Sequence, residues 1–149
     1  MRSSISSRGH VAERRHQRGL IDTSVVIDLG RVDAADLPYE IAVSAVTLAE
    51  LASGPHATGD PDERARRQDV LQRTEATFES LPVDGAVARA YGRVYAAVIG
   101  AGRKARGRRA FDLLIAATAL AAELPLYTLN PSDFHELGGL LEVVPVPVR

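Results

Sequence analysis

The chain has 149 residues, 46% hydrophobic and 25% charged, with no cysteine and no tryptophan. That length suits one domain burying roughly 68–70% of the surface its unfolded chain exposes, and the composition excludes collagen-like, wholly disordered and disulfide-scaffold proteins. Without cysteine there is no thiol nucleophile, zinc ribbon or iron–sulfur cluster, which fits a reducing compartment.

The net charge of −1 hides an uneven distribution. Residues 1–19 hold five arginines against Glu13, and residues 103–109 (RKARGRR) hold five cations and no acid, so the rest of the chain carries −10. Two basic strips on an acidic body point to a polyanionic partner. Residues 1–19 are rich in Arg and Ser and read as a basic, disordered arm. No apolar run of the kind a secretory signal needs follows them. The longest apolar-rich stretch, 113–122, is about half a bilayer span. The chain is expected in the cytoplasm.

Beyond the arm, strands and helices alternate. Residues 20–23 (LIDT) read as a first strand, with Thr23 or Ser24 capping a helix over 25–29. A β-branched run at 41–44 (IAVS) is a second strand. Residues 45–53 follow with Leu48, Leu51 and Ala52 at helical spacing, and Gly54-Pro55 ends them. Asp60-Pro61 opens a charged helix over 62–79, and 81–83 is a short extended piece. Asp84 caps a helix through Gly100. A buried helix over 110–123, a strand over 125–129, a short helix over 130–137 and a last strand over 142–148 complete the chain. This alternation predicts an α/β fold with a mainly parallel sheet and ligands at the strands' C-terminal ends.

Four carboxylates fall where such a fold gathers them. Asp22 ends the first strand, and on its own reads equally as a turn residue beside Ser24. Glu50 lies on a mixed helical stripe with Val46, Thr47, Ser53 and Gly54, where a solvated glutamate is the commoner outcome. Asp112 shares a stripe with Ile115, Ala116 and Ala119 in a helix apolar nearly all round; an acid there needs a partner or cation, or is a first-turn acid favoured by the helix dipole. In Asn130-Pro131-Ser132-Asp133, Asn130 can cap and Asp133 is a first-turn acid. Oxygen-only ligands suit Mg²⁺ or Mn²⁺, and like charges converging in one cleft call for a cation. His10 and His16 lie in the arm, and His56 and His135 in turns. There is no G-x-S-x-G, H-E-x-x-H or Walker sequence.

Four segments in order, 20–29 (LIDTSVVIDL), 44–51 (SAVTLAEL), 111–120 (FDLLIAATAL) and 128–134 (TLNPSDF), make the chain resemble a PIN-domain protein of the VapC type. Such proteins are the toxin half of bacterial type II toxin–antitoxin pairs. The resemblance covers 20–149 and implies a three-layer α/β/α sandwich. It implies a Mg²⁺-dependent endoribonuclease that inhibits translation and growth until a VapB-type antitoxin neutralises it. By motif match, Asp22, Glu50, Asp112 and Asp133 are the catalytic and metal-binding acids, and Asn130 occupies a position where some relatives carry another acid. Thr23 or Ser24 would orient Asp22 or a metal water. Asp22 and Asp112 would bind Mg²⁺ (or Mn²⁺), directly or through water, for attack of a water on the scissile phosphate. Arg103, Lys104, Arg106, Arg108 and Arg109 would draw in the RNA backbone, or form a solvated loop. Homodimer pairing is expected through the helices at 62–79 or 84–100. A PIN-like module that binds RNA or protein without cutting is the second reading, opposed by the four intact acids. A nuclease for structured DNA is the third, opposed by the short chain. No aromatic platform for a base stands out among three Phe and four Tyr.

Overall fold

The structure, a computed structural model, describes residues 15–149. Most of the expected arm, residues 1–14, therefore lies outside the described residues. From position 15 the chain is packed on the body: the Arg15 guanidinium donates to the Leu37 carbonyl at 2.8 Å and sits over the Tyr39 ring, 3.9 Å from its centroid.

Five strands form one parallel sheet in the order β3-β2-β1-β4-β5. They are β1 (Arg18–Ile21), β2 (Glu40–Ser44), β3 (Glu79–Leu81), β4 (Leu126–Thr128) and β5 (Val143–Pro145). The first strand thus starts two residues earlier than its apolar run, and pairs Arg18 with Glu40. The helices are α1 (Thr23–Ile27), α2 (Ala45–Ser53), α3 (Pro61–Thr77), α4 (Gly85–Gly100) and α5 (Arg108–Ala121). No helix among the described residues is long and apolar enough to cross a membrane.

Both faces of the sheet are covered, which is what an all-parallel sheet requires. Side chains alternate along each strand. Leu20, Ala42 and Leu126 pack with Val87, Val94 and Val98 of α4 and with Leu113, Ile115 and Ala116 of α5. Ile21, Val43 and Tyr127 point the other way, into a second cluster with Val25, Val26, Leu51 and Val146. Each fully buried aliphatic side chain contributes about 1.5–3 kcal/mol. At Gly19 a Cβ would come within 2.6 Å of the Tyr127 ring, so only glycine lets β1 lie this close to that side chain.

Helix starts follow local chemistry. Asp84 accepts from Val87 N–H, so α4 begins where its expected cap places it, and the Ser44 hydroxyl, a cap not expected from the sequence, accepts from Val46 N–H at the start of α2. Helix α1 differs: Asp22 is its cap, accepting from Val25 N–H, in place of Thr23 or Ser24. The segment Pro131–Leu137 is 3-10 turns kinked at Phe134, and Asn130 makes no capping bond with its side chain.

The order of the strands positions the site. The chain winds outward from β1 to β2 and β3, then returns to β4 on the other side of β1. The crevice at such a reversal, beyond the strands' C-terminal ends, is where open α/β sheets bind ligands. Asp22 follows β1 directly, and Thr128 ends β4.

Candidate active site

At that crevice Asp22 is 5% exposed and held on both oxygens. Its Oδ1 accepts from the Ser24 hydroxyl and Val25 N–H, and its Oδ2 accepts from Thr128 Oγ1 at 2.6 Å. The donors are themselves fixed. Ser24 Oγ accepts from Leu129 N–H at 3.2 Å, and Thr128 Oγ1 accepts from Asn130 N–H at 3.0 Å. Burial pushes the Asp22 carboxyl above its ordinary value, while the bonds from Ser24, Thr128 and Val25 pull back.

Thr23, next along the chain, serves a different acid. Its hydroxyl donates to Glu50 Oε1 at 2.8 Å and lies 3.0 Å from the hydroxyl of buried Thr47. Glu50 is therefore half-buried and bridged to α1, and not merely solvated as its mixed stripe suggests in isolation.

Asp112 opens the second turn of α5, which starts at Arg108, so it is not the first-turn acid that the helix dipole would favour; it is half-buried. Its carboxyl is pushed up to about 6, first by burial, then by the negative charges of Glu50, Asp22 and Asp133, with Arg109 pulling the other way. Glu50, Asp22 and Asp133, also named from the sequence, are thus near enough to Asp112 to act on it electrostatically. Asp133, half-buried in the turns after β4, is the smallest of the three charge contributions. Asn130 is exposed, and contributes its backbone: its N–H to Thr128 and its carbonyl to Asp133 N–H. Asp28 stands apart, 3.9 Å from Arg31.

Among the described residues, no three His, Asp or Glu side chains stand close enough together to ligate one ion directly. The chemistry of the donors nevertheless suits a hard divalent cation. They are carboxylate oxygens, and their mutual repulsion, visible at Asp112, is what a cation would relieve.

The basic strip divides. The side chain of Arg109 is 15% exposed, 2.8 Å from Glu136 Oε1, and donates to the Asp133 carbonyl. It therefore braces α5 against the Asp133 turn and does not face a ligand. Arg103 reaches within 3.7 Å of the same Glu136, itself 5% exposed. Lys104, Arg106 and Arg108 are exposed and form no ion pair among the described residues.

Beside the acids a groove of about 800 Å³ runs between α1, α2, α3 and the start of α5, lined by Thr23, Ile27, Glu50, Arg66, Arg108 and Phe111 among others. Phe111 is 48% exposed, so an aromatic ring does stand at the site. Sequence reading missed Thr128, Thr47, Glu136 and Phe111. The signal for Thr128 was its place at the end of a strand; Phe111 was concealed as one more apolar residue in an apolar helix.

An all-parallel sheet with acids gathered at its reversal point defines an α/β domain with a ligand-binding crevice there. The PIN domain profile matches residues 19–140, and the chain belongs to that family. Within it, the chain is similar to Ribonuclease VapC5 of Mycobacterium tuberculosis, 40% identical over 128 residues, covering 84% of this chain and 91% of that protein. It is 41% identical to Ribonuclease VapC8 of the same species over 102 residues, covering 68% and 89%. The crystal structure of VapBC-5 of the M. tuberculosis VapBC toxin–antitoxin family superposes with a TM-score of 0.76 at 39% identity, covering 87% of this chain and 99% of that one. VapBC2 of Rickettsia felis, bound to a promoter DNA fragment, shares the fold at TM-score 0.67 and 22% identity, covering 84% and 96%.

Proposed function

We propose that this chain is a divalent-metal-dependent endoribonuclease, the toxin of a bacterial toxin–antitoxin pair acting in the cytoplasm, with a VapB-type protein as its neutralising partner. The observation that carries the reading is the acid cluster around Asp112, whose carboxyl is raised to about 6 by burial and by Glu50, Asp22 and Asp133. The similarity to proteins named Ribonuclease VapC over most of the chain supports the substrate class and the partner.

Asp22 and Asp112 would hold the cation, directly or through water, with Glu50 and Asp133 completing the pocket. When bound, Mg²⁺ or Mn²⁺ lowers the pKa of a coordinated water and offsets charge building on the phosphate. The chain's own residues do the rest. Ser24, Thr128 and Val25 N–H keep Asp22 in one orientation. Thr23 turns the Glu50 carboxylate toward α1. Arg109 ties the Asp133 turn to the start of α5, so that Asp133 and Asp112 approach as one unit. Exposed Lys104, Arg106 and Arg108 offset the repulsion that RNA phosphates would otherwise meet.

Homodimer pairing is supported by α4. That helix buries Val87, Ala90, Val94 and Val98, and exposes a second apolar stripe of Ala88, Tyr95, Ala96 and Ile99, with Tyr95 45% and Ile99 47% exposed. Sedimentation of the chain alone as a monomer would remove the dimer.

Mapping of RNA 5′ ends after induced expression tests the activity. Cleavage should require Mg²⁺ or Mn²⁺, stop in EDTA, and fall by at least about a hundredfold in Asp112→Asn, the size expected when a metal ligand is lost. Undiminished cleavage by Asp112→Asn would overturn the assignment.

A further inference from the structure

The groove beside the acids carries an aromatic ring that the phosphodiester chemistry does not use. Phe111 ends the first turn of α5, immediately before Asp112, and is 48% exposed, whereas Leu113, Ile115, Ala116 and Ala117 of the same helix are fully buried. Ile27, 61% exposed, lines the same groove. These two apolar side chains add nothing to the core while they face water.

Their surroundings say what they suit. Thr23 and Glu50 line the groove and also belong to the acid cluster, so the groove and the pocket are continuous. Arg108, three residues before Phe111, is exposed on the groove without an ion pair among the described residues. Arg66 and Arg67 of α3 line the same groove, each paired with Glu63. An apolar ring between a free cation and a phosphate-cutting centre matches a nucleotide, whose base is flat and apolar on its faces and whose backbone is anionic. A bound RNA strand with one phosphate at the acids would bring the adjoining nucleoside into this groove.

We propose that Phe111 stacks an unpaired base of the RNA next to the scissile phosphate, with Ile27 beside it and Arg108 on the neighbouring phosphate, making the groove a nucleotide subsite that positions the strand for cleavage. The proposal rests on the endoribonuclease reading above. Stacking of a base on an aromatic side chain is sequence-tolerant, because every base has a π-face. This subsite therefore selects for an unstacked nucleotide, as in a loop, and only weakly for its identity.

The test separates this idea from the activity itself. Binding of a single-stranded RNA that spans a mapped cleavage position is measured on the full chain carrying Asp112→Asn, which leaves the RNA uncut. A series of the same RNA with one abasic site at each position around the cleavage point is measured beside it. Adding Phe111→Ala should weaken binding of the intact RNA by about tenfold, and Phe111→Trp should restore it. One abasic position should cost the Phe111 chain about tenfold and the Phe111→Ala chain nothing, the non-additivity expected of two groups in contact. Equal abasic penalties with and without the ring would overturn the proposal. So would unchanged RNA binding by Phe111→Ala combined with weaker neutralisation by the antitoxin, which would assign the groove to the protein partner. If the wild type cuts no RNA, the same series is measured on an arbitrary single strand, and ring-dependent binding there would sink the nuclease reading and leave the stacking site standing. Failure to bind RNA at all would sink both.

Discussion

At the strand side of the pocket, Asp22 is buried and accepts hydrogen bonds on both oxygens, from Ser24, Val25 N–H and Thr128. At the helix side, Asp112 is half-buried and accepts no hydrogen bond among the described residues; its state is set by burial and by three neighbouring negative charges. The strand side is preorganised by the fold, and its geometry is complete without any ligand. The helix side stores repulsion that only a proton or a cation relieves. One half of the site therefore supports the fold, while the other half opposes it until something positive arrives.

Substitution at the two halves should therefore shift stability in opposite directions. In urea unfolding at pH 7.5 with EDTA, Asp22→Ala should lose about 2 kcal/mol, since it removes a helix cap and leaves the Ser24 and Thr128 hydroxyls without their acceptor. Thr128→Val, measured the same way, should lose about 1 kcal/mol by deleting one buried donor and orphaning Asn130 N–H. Asp112→Asn should gain about 1 kcal/mol, a figure that allows for the water still reaching that carboxyl. A loss at Asp112→Asn equal to that at Asp22→Ala would erase the distinction between the two halves.

The smallest effect sharpens the same contrast through pH. A carboxyl raised in the folded state holds its proton more tightly there than in the unfolded chain, so folding is favoured as pH falls through the raised value. For Asp112 the window runs from about 6 down toward the ordinary carboxylate range. Metal-free wild-type protein should gain up to about 1 kcal/mol between pH 7 and pH 5. Asp112→Asn should lose most of that gain, with a remainder from Asp22, whose carboxyl is also raised. Saturating Mg²⁺ should suppress the gain, because the cation occupies the place of the proton.

Much of this was legible in the sequence, for reasons that differ by residue. Asp84 is a cap whose bond is local, so α4 starts where expected. Strand alternation at Leu20-Ile21 and Leu126-Tyr127 reads directly as two buried faces. That Glu50, Asp22 and Asp133 come near Asp112 was expected from motif order. What was not legible is distant in sequence: Thr128 meets Asp22 across 106 positions, and Arg109 meets Glu136 across 27. Composition counted Arg109 as one more cation in a basic strip, and only the packing shows that its charge is spent on Glu136 and the Asp133 turn. Phe111 illustrates the reverse: a helix apolar nearly all round reads as buried, whereas Phe111 stands 48% exposed and lines the groove.

Asp22 is both the first helix's cap and one of the acids proposed for the site, and under the toxin reading proposed above this double duty would bear on how such a chain loses its activity in a population of cells. A change at Asp22 would leave an unstable chain for proteases to clear, and a proposed antitoxin without its partner. Asp112→Asn would instead leave a sturdier, inert copy. That copy would still occupy such an antitoxin, and so would expose any intact toxin made alongside it.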